Sequence, residues 1–346
     1  MKGFLALEDG SVFPGESVGA EGFSTGEAVF TTGMSGYQEA VTDPSFAEQI
    51  VCFTAPMVGN YGVADERSES RKVHARAVIM REARGPAWTD WLVERGIVAL
   101  TGIDTRSLVL TLREAGAMRA VAVAGESSPE EAVALARDSL SMAGRALVAD
   151  VSTREPYVHN DAGTARIAVV DYGVKRSVLR RLTVAGASVT VYPHDVDADE
   201  LAGYDGVLLS PGPGDPEPLT DEASTVRELL GRTHVLGICL GHQLLAVATG
   251  HETFKLPFGH RGSNHPVLQR RDGRVLVTSQ NHGFAVRATD AAEATHLSLY
   301  DETVEGLEFP ELRARSLQFH PEAGPGPHDA WPLLEAWVEE VAVTRA

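Results

Sequence analysis

From Arg166 onward the chain alternates short apolar runs with amphipathic ones, and the connections between them are brief. "RIAVVDYG" is an apolar run of strand length, and "VKRSVLRRLTVAGA" behind it has helical spacing. "SVTVYP" and "GVLLS" follow as strands, "DEASTVRELLGR" as a helix, "HVLGI" as a strand and "HQLLAVATG" as a helix. A strand that is apolar at successive positions is buried on both faces. Strand–helix alternation with short links therefore predicts a mostly parallel, doubly wound sheet with helices on both sides. Such sheets bind ligands at the C-terminal ends of their strands.

The first 149 residues read differently. "EAVFTTG", "QIVCFTAP" and "HARAVIMRE" are β-prone runs separated by Gly, Pro and Asp. "DWLVERG", "DTRSLVLTLREAGA" and "SPEEAVALARDSL" have helical character. In the second of these Asp104 is the expected N-cap, and Leu108, Leu110 and Leu112 mark the apolar side. These features predict a mixed α/β domain. The polar, turn-rich "DVSTREPYVHNDAGTAR" has no periodicity and reads as a linker. A length of 346 residues exceeds what one core usually fills. The expected division is an N-terminal domain over 1–149, a linker over 150–165 and a second α/β domain over 166–346.

The chemistry is carried by "GICLGHQLLA", where the chain passes from strand to helix. The chain has only Cys52 and Cys239, without metal-ligand spacing or a disulfide framework. Cys52 lies in an apolar strand and reads as an inert core thiol. Cys239 sits between Gly237 and Gly241, which is the layout of a nucleophile elbow with Cys in place of Ser. A helix N-terminus at that point favours thiolate.

A cysteine nucleophile needs a base, and the base needs an orienting group. His320 ends the apolar run of "SLQFHPEAGPGPHDA", and Glu322 follows two residues later. In extended chain both side chains would point to one side. His242 begins the helix after the elbow and should point away; His282, in "SQNHGFAV", is the rival base. The Leu240 peptide N–H is the first expected oxyanion donor. Pro213 has no N–H, so a second donor from "PGPGDP" would be Gly212 or Gly214.

Net charge is −18, which disfavours a nucleic-acid ligand. No apolar run approaches the ~20 residues that span a bilayer, and no secretory leader is visible. The expectation is a cytoplasmic protein with no membrane and no nucleic-acid partner.

"GICLGHQ" and "QFHPE" resemble the class I glutamine amidotransferases. The resemblance implies that Cys239 attacks the side-chain amide of L-glutamine, with His320 shuttling protons and Glu322 orienting it. "VVDYGVKRSVLRRL", "LLSPGPGDP", "FGHRGSNHPV", "TTGMSGYQEAVTDPSFAEQIV" and "GIDTRSLVLTLREAGAMR" further resemble the small subunits of carbamoyl-phosphate synthetases. These motifs cover nearly the whole chain. This resemblance implies glutamine contacts from Ser45, Gly212, Gly214, Leu240, Gln243, Asn281, Gly283 and Phe284. It implies a large-subunit partner, in a heterodimer or an oligomer of heterodimers, that receives ammonia and makes carbamoyl phosphate for pyrimidine and arginine biosynthesis. It also implies no metal or cofactor in this chain, with ATP and metal ions on the partner. The lack of a G-x-x-x-x-G-K-[ST] loop here fits that division.

Pro211 departs from the family pattern, which often has Asn there. Lys175 and Lys255 stand at family-like positions, and for each the plainer reading is a surface salt bridge. The alternatives are a glutaminase subunit of another amidotransferase and a catalytically idle scaffold subunit.

Overall fold

The computed structural model describes residues 1–287 and 292–344. It divides into two compact units, Met1–Met142 with Pro257–Gly262, and Ala143–Leu256 with Ser263–Ala346.

The first unit is a closed barrel. Its strands are β1 (Lys2–Leu7), β2 (Val12–Ser17), β3 (Gly22–Thr31), β4 (Gln49–Phe53), β5 (Ala77–Ile79), β6 (Val98–Thr101) and β7 (Met118–Ala124). They close in the order β1-β2-β6-β5-β4-β3-β7. β3 to β6 run parallel, and the remaining pairings are antiparallel. Successive residues of β4 face opposite sides of the wall, as strand geometry requires. Ile50 and Cys52 join one apolar cluster with Leu108 and Leu112. Val51 and Phe53 join another with Trp88 and Trp91. Burial of the Cys52 thiol pushes its pKa up to about 12, as an inert core cysteine requires.

The helix Thr105–Ala115 is capped by Asp104, whose carboxylate accepts from Ser107 N at 3.1 Å. Leu108 and Leu112 are buried but Leu110 is exposed. That corrects the apolar side expected from the sequence. Residues two apart on a helix lie about 200° apart, so Leu108 and Leu110 cannot share a face.

The second unit is a ten-stranded sheet. Its strands are β8 (Tyr157–Asn160), β9 (Ala165–Asp171), β10 (Ala187–Pro193), β11 (Gly206–Leu209), β12 (His234–Ile238), β13 (Thr253–Gln269), β14 (Arg274–Val286), β15 (Ala294–Ser298), β16 (Val304–Phe309) and β17 (Ala314–Leu317). The order is β14-β13-β15-β16-β17-β12-β11-β9-β10-β8. The middle, from β10 to β17, is parallel. Antiparallel strands flank it on both sides.

In β9, Ala168 and Val170 pack under the helices Thr220–Leu229 and Leu240–Ala248. Ile167 and Val169 pack under the helices Arg176–Val184 and Trp331–Thr344. Burial on both faces explains the unbroken apolar run, at about 1.5–3 kcal/mol for each large side chain removed from water.

The segment 150–165 is not a bare linker. It carries β8, which pairs with β10 at the edge of the sheet. Thr153 N also donates to Asp171 Oδ2 at 2.8 Å. Its polar residues satisfy an exposed edge, which period and composition do not reveal. Among the described residues no helix is long and apolar enough to cross a membrane.

Candidate active site

Four loops follow the parallel strands at one edge of the sheet. Asp171–Lys175 follows β9, Ser210–Gly214 follows β11, Cys239 follows β12, and His320 lies just beyond β17. β12 and β17 are adjacent and parallel, and Cys239 N donates to Leu317 O at 2.9 Å. This adjacency brings together residues about eighty positions apart in sequence.

Cys239 stands at φ 54° and ψ −105°, between the end of β12 and the helix Leu240–Ala248. A non-glycine residue pays for positive φ in strain, which persists only where its surroundings hold it. The flanking glycines supply the necessary room. A Cβ on Gly237 would lie 2.4 Å from Gly241 O, and one on Gly241 would lie 2.2 Å from Leu209 O. The elbow expected from "GICLG" is thus formed, with the cysteine buried at 2% exposure.

The Cys239 S–H donates to Asn281 O at 3.6 Å. His320 Nδ1 donates to Glu322 Oε1 at 2.8 Å. That bond leaves Nε2 to the Cys239 thiol. Cys239 is near enough for the thiol to act on the ring. Burial and the Lys175 charge pull the His320 pKa down. The Glu322 carboxylate and the ring's hydrogen bonds with Cys239 and Glu322 outweigh them and raise it to about 9.

His320 and Glu322 meet through a turn rather than along an extended strand. β17 ends at Leu317, and Ala323 N donates back to His320 O at 3.2 Å. The His320 N–H is bound to Ser279 O at 2.9 Å, which fixes the start of that turn.

Lys175 is the residue that sequence reasoning undervalued. It is 3% exposed, and its Nζ lies 2.5 Å from Glu322 Oε1. The surface salt bridge expected there is instead a buried one. Burial alone would raise the Glu322 pKa, but the Lys175 and His320 charges hold it well below the ordinary carboxylate range. The scarcity of lysine in this chain was the available signal. Lys255 lies on β13, half-buried.

Gln243, one turn into the helix, donates through Nε2 to Phe284 O at 2.9 Å and to Gln318 Oε1 at 3.0 Å. Its amide nitrogen is thus committed to protein. Asn281 and Phe284 are therefore tied to Cys239 and Gln243 on either side of Gly283. The His282 Nδ1 donates to Phe284 O at 2.7 Å, which spends that nitrogen on its own strand. His242 is fully buried and points away from the edge, with Nδ1 2.8 Å from Ser316 Oγ.

Gly212 packs against Leu240, since a Cβ there would come within 2.9 Å of the leucine Cδ2. Gly214, at φ 95°, forms a β-bridge with Ala146. Ser45 lies in the first unit, in the 3-10 helix Pro44–Phe46, where its N–H donates to Asp43 Oδ1 at 2.8 Å.

A buried thiol on a strained elbow, an imidazole with one nitrogen anchored, and a carboxylate paired to a lysine can together perform nucleophilic acyl transfer. Two family models match the chain. The glutamine amidotransferase class-I family model matches residues 168–339. The model for the carbamoyl-phosphate synthase small chain, CPSase domain, matches residues 5–122. The chain is 45% identical to the carbamoyl phosphate synthase small chain of Syntrophotalea carbinolica, over 100% of this chain and 99% of that one. It is 43% identical to that of Xanthomonas campestris pv. campestris, over 99% and 98%. It is 44% identical to that of Pseudomonas aeruginosa, also over 99% and 98%. The chain belongs to the carbamoyl-phosphate synthase small-chain family.

Proposed function

We propose that this chain is the glutamine amidotransferase subunit of a carbamoyl-phosphate synthase and that Cys239, His320 and Glu322 carry its reaction. In the reacting form His320 Nε2 carries the thiol proton as an imidazolium, and Sγ, as thiolate, attacks the side-chain amide carbon of L-glutamine. The oxyanion of the tetrahedral intermediate is met by the Leu240 N–H and by a donor from Gly212 or Gly214. His320 returns its proton to the amide nitrogen, the C–N bond breaks, and ammonia leaves a γ-glutamyl thioester. Water, deprotonated by His320, attacks that thioester and releases glutamate and the thiol. Glu322 stays ionised throughout and holds the imidazolium. Gln243 Oε1, Asn281, Gly283 and Phe284 bound the space in which the glutamine would lie.

The observation that supports this most is the line Cys239–His320–Glu322–Lys175, formed at one sheet edge in a chain of this family. Ammonia would pass to a large subunit that combines it with bicarbonate and ATP, so the nucleotide and metal chemistry belongs to the partner. The test is Cys239→Ser in the complex with that subunit. Glutamine-dependent carbamoyl phosphate synthesis should vanish while synthesis from added ammonium persists. Equal loss of both activities would overturn the reading.

A further inference from the structure

Glu322 is held by its backbone as well as by its side chain. Trp331 Nε1 donates to Glu322 O at 3.0 Å. Ala323, at φ 42°, follows Glu322 immediately. Trp331 opens the helix Trp331–Thr344, and Leu334, Trp337, Val338 and Val341 root that helix in the core. The donor therefore sits on a fixed base.

The indole is itself braced. The Arg181 guanidinium lies 3.8 Å from the centroid of the Trp331 ring. Arg181 also pairs with Glu335 on the same helix as Trp331. The His328 ring stacks on the indole at 3.5 Å between centroids and 18° between planes. Arg181 belongs to the helix Arg176–Val184, and Lys175 is the N-cap of that helix. One helix thus reaches Glu322 twice, at the carboxylate through Lys175 and at the carbonyl through the Arg181–Trp331 stack.

We propose that Trp331, braced by Arg181 and His328, is a positioning residue of the glutaminase reaction, fixing the peptide of Glu322 so that its carboxylate meets His320 Nδ1. The inference rests on the triad described above. A turn with a strained residue needs an anchor if its carboxylate is to stay within hydrogen-bond reach of the imidazole, and side chains supporting a catalytic group are commonly held this way. A Trp N–H in apolar surroundings could also serve only to tie down the helix end. The two roles differ in what they do to His320. The groups that act on its ring are Lys175, Glu322 and Cys239. If Glu322 drifts, the imidazolium loses its support and gives up its proton at lower pH. A mere staple would leave that titration unchanged.

The experiment uses the full chain with its large subunit, comparing wild type, Trp331→Phe and Cys239→Ser in glutamine hydrolysis across pH. For Trp331→Phe, kcat should fall about tenfold, the scale of one hydrogen bond, with KM for glutamine within about twofold. The alkaline limb should move to lower pH by about half a unit. Replacing Trp331 with its sulphur analogue, benzothienylalanine, keeps the stacked ring and removes only the N–H. It should reproduce both changes at unaltered melting temperature, which covers the case in which the phenylalanine variant folds poorly. Wild-type kcat and an unmoved alkaline limb in the analogue, with Cys239→Ser inactive, would overturn this inference alone. Activity retained by Cys239→Ser would overturn the triad and the inference together.

Discussion

Lys175 Nζ lies 2.5 Å from the same Glu322 oxygen that accepts the His320 Nδ1–H at 2.8 Å. A single carboxylate oxygen thus faces a lysine and an imidazole, all three groups buried. Two positive partners keep Glu322 ionised in a place where burial would otherwise protonate it.

Removing one member of such a buried pair leaves the other uncompensated, at a cost of about 3 kcal/mol or more. Lys175→Met should therefore lower the unfolding free energy by about that amount in chemical denaturation. Lys175→Arg should lose less, because the charge is kept. Glutaminase activity should fall in the same order. Wild-type stability in Lys175→Met would show that the lysine does not compensate the carboxylate.

Two histidines away from the triad set the response to acid. Burial, then the charges of His251 and His296, lowers the His242 pKa to about 3. Burial lowers that of His296 to about 4, against an opposing pull from Asp272. Both are neutral when folded, while the unfolded chain takes up their protons near 6.5. Their contribution is therefore present above pH 6.5 and is lost as pH falls toward 4 and then 3. Denaturant midpoints should decline from about pH 6.5, before ordinary carboxylates titrate. His242→Gln, which keeps a polar partner for Ser316, should flatten that decline. An equally steep decline in the variant would assign the acid sensitivity elsewhere.

The elbow glycines make a steric prediction. A Cβ on Gly241 meets the backbone of Leu209, which cannot rotate away. Gly241→Ala should push the helix Leu240–Ala248 off the sheet, at about 1–3 kcal/mol for overpacking. It should also displace the Leu240 N–H from its proposed oxyanion position. Melting temperature and glutamine turnover should both drop. Gly250→Ala, at φ 90° with open space around it, should cost stability through backbone strain but leave turnover near wild type.

Much of the second unit was legible in the sequence. The runs around Ile167, Val207 and Val235 are strands because residues apolar at each step are stable only between two helical layers. The strained turn at Cys239 was legible too, because few arrangements need glycine on both sides of a cysteine between a strand and a helix. The antiparallel strands β13 to β16 were not read from the sequence. They are less uniformly apolar, and their pairing is set by partners far along the chain.

The barrel closure of the first unit was hidden for the same reason. Adjacency of β2 and β6 depends on register and twist, which local pattern does not record. The burial of Lys175 is the clearest case at the site. In sequence it is a charged residue before a helix, where water is the cheapest surrounding. Only the packing of the loop after β9 beside the turn after β17 takes it out of water and into contact with Glu322. The residue types and local conformations of the site follow from short-range sterics and hydrophobic period. Which of them share one buried electrostatic network follows from strand order, because strand order decides the distances between charges.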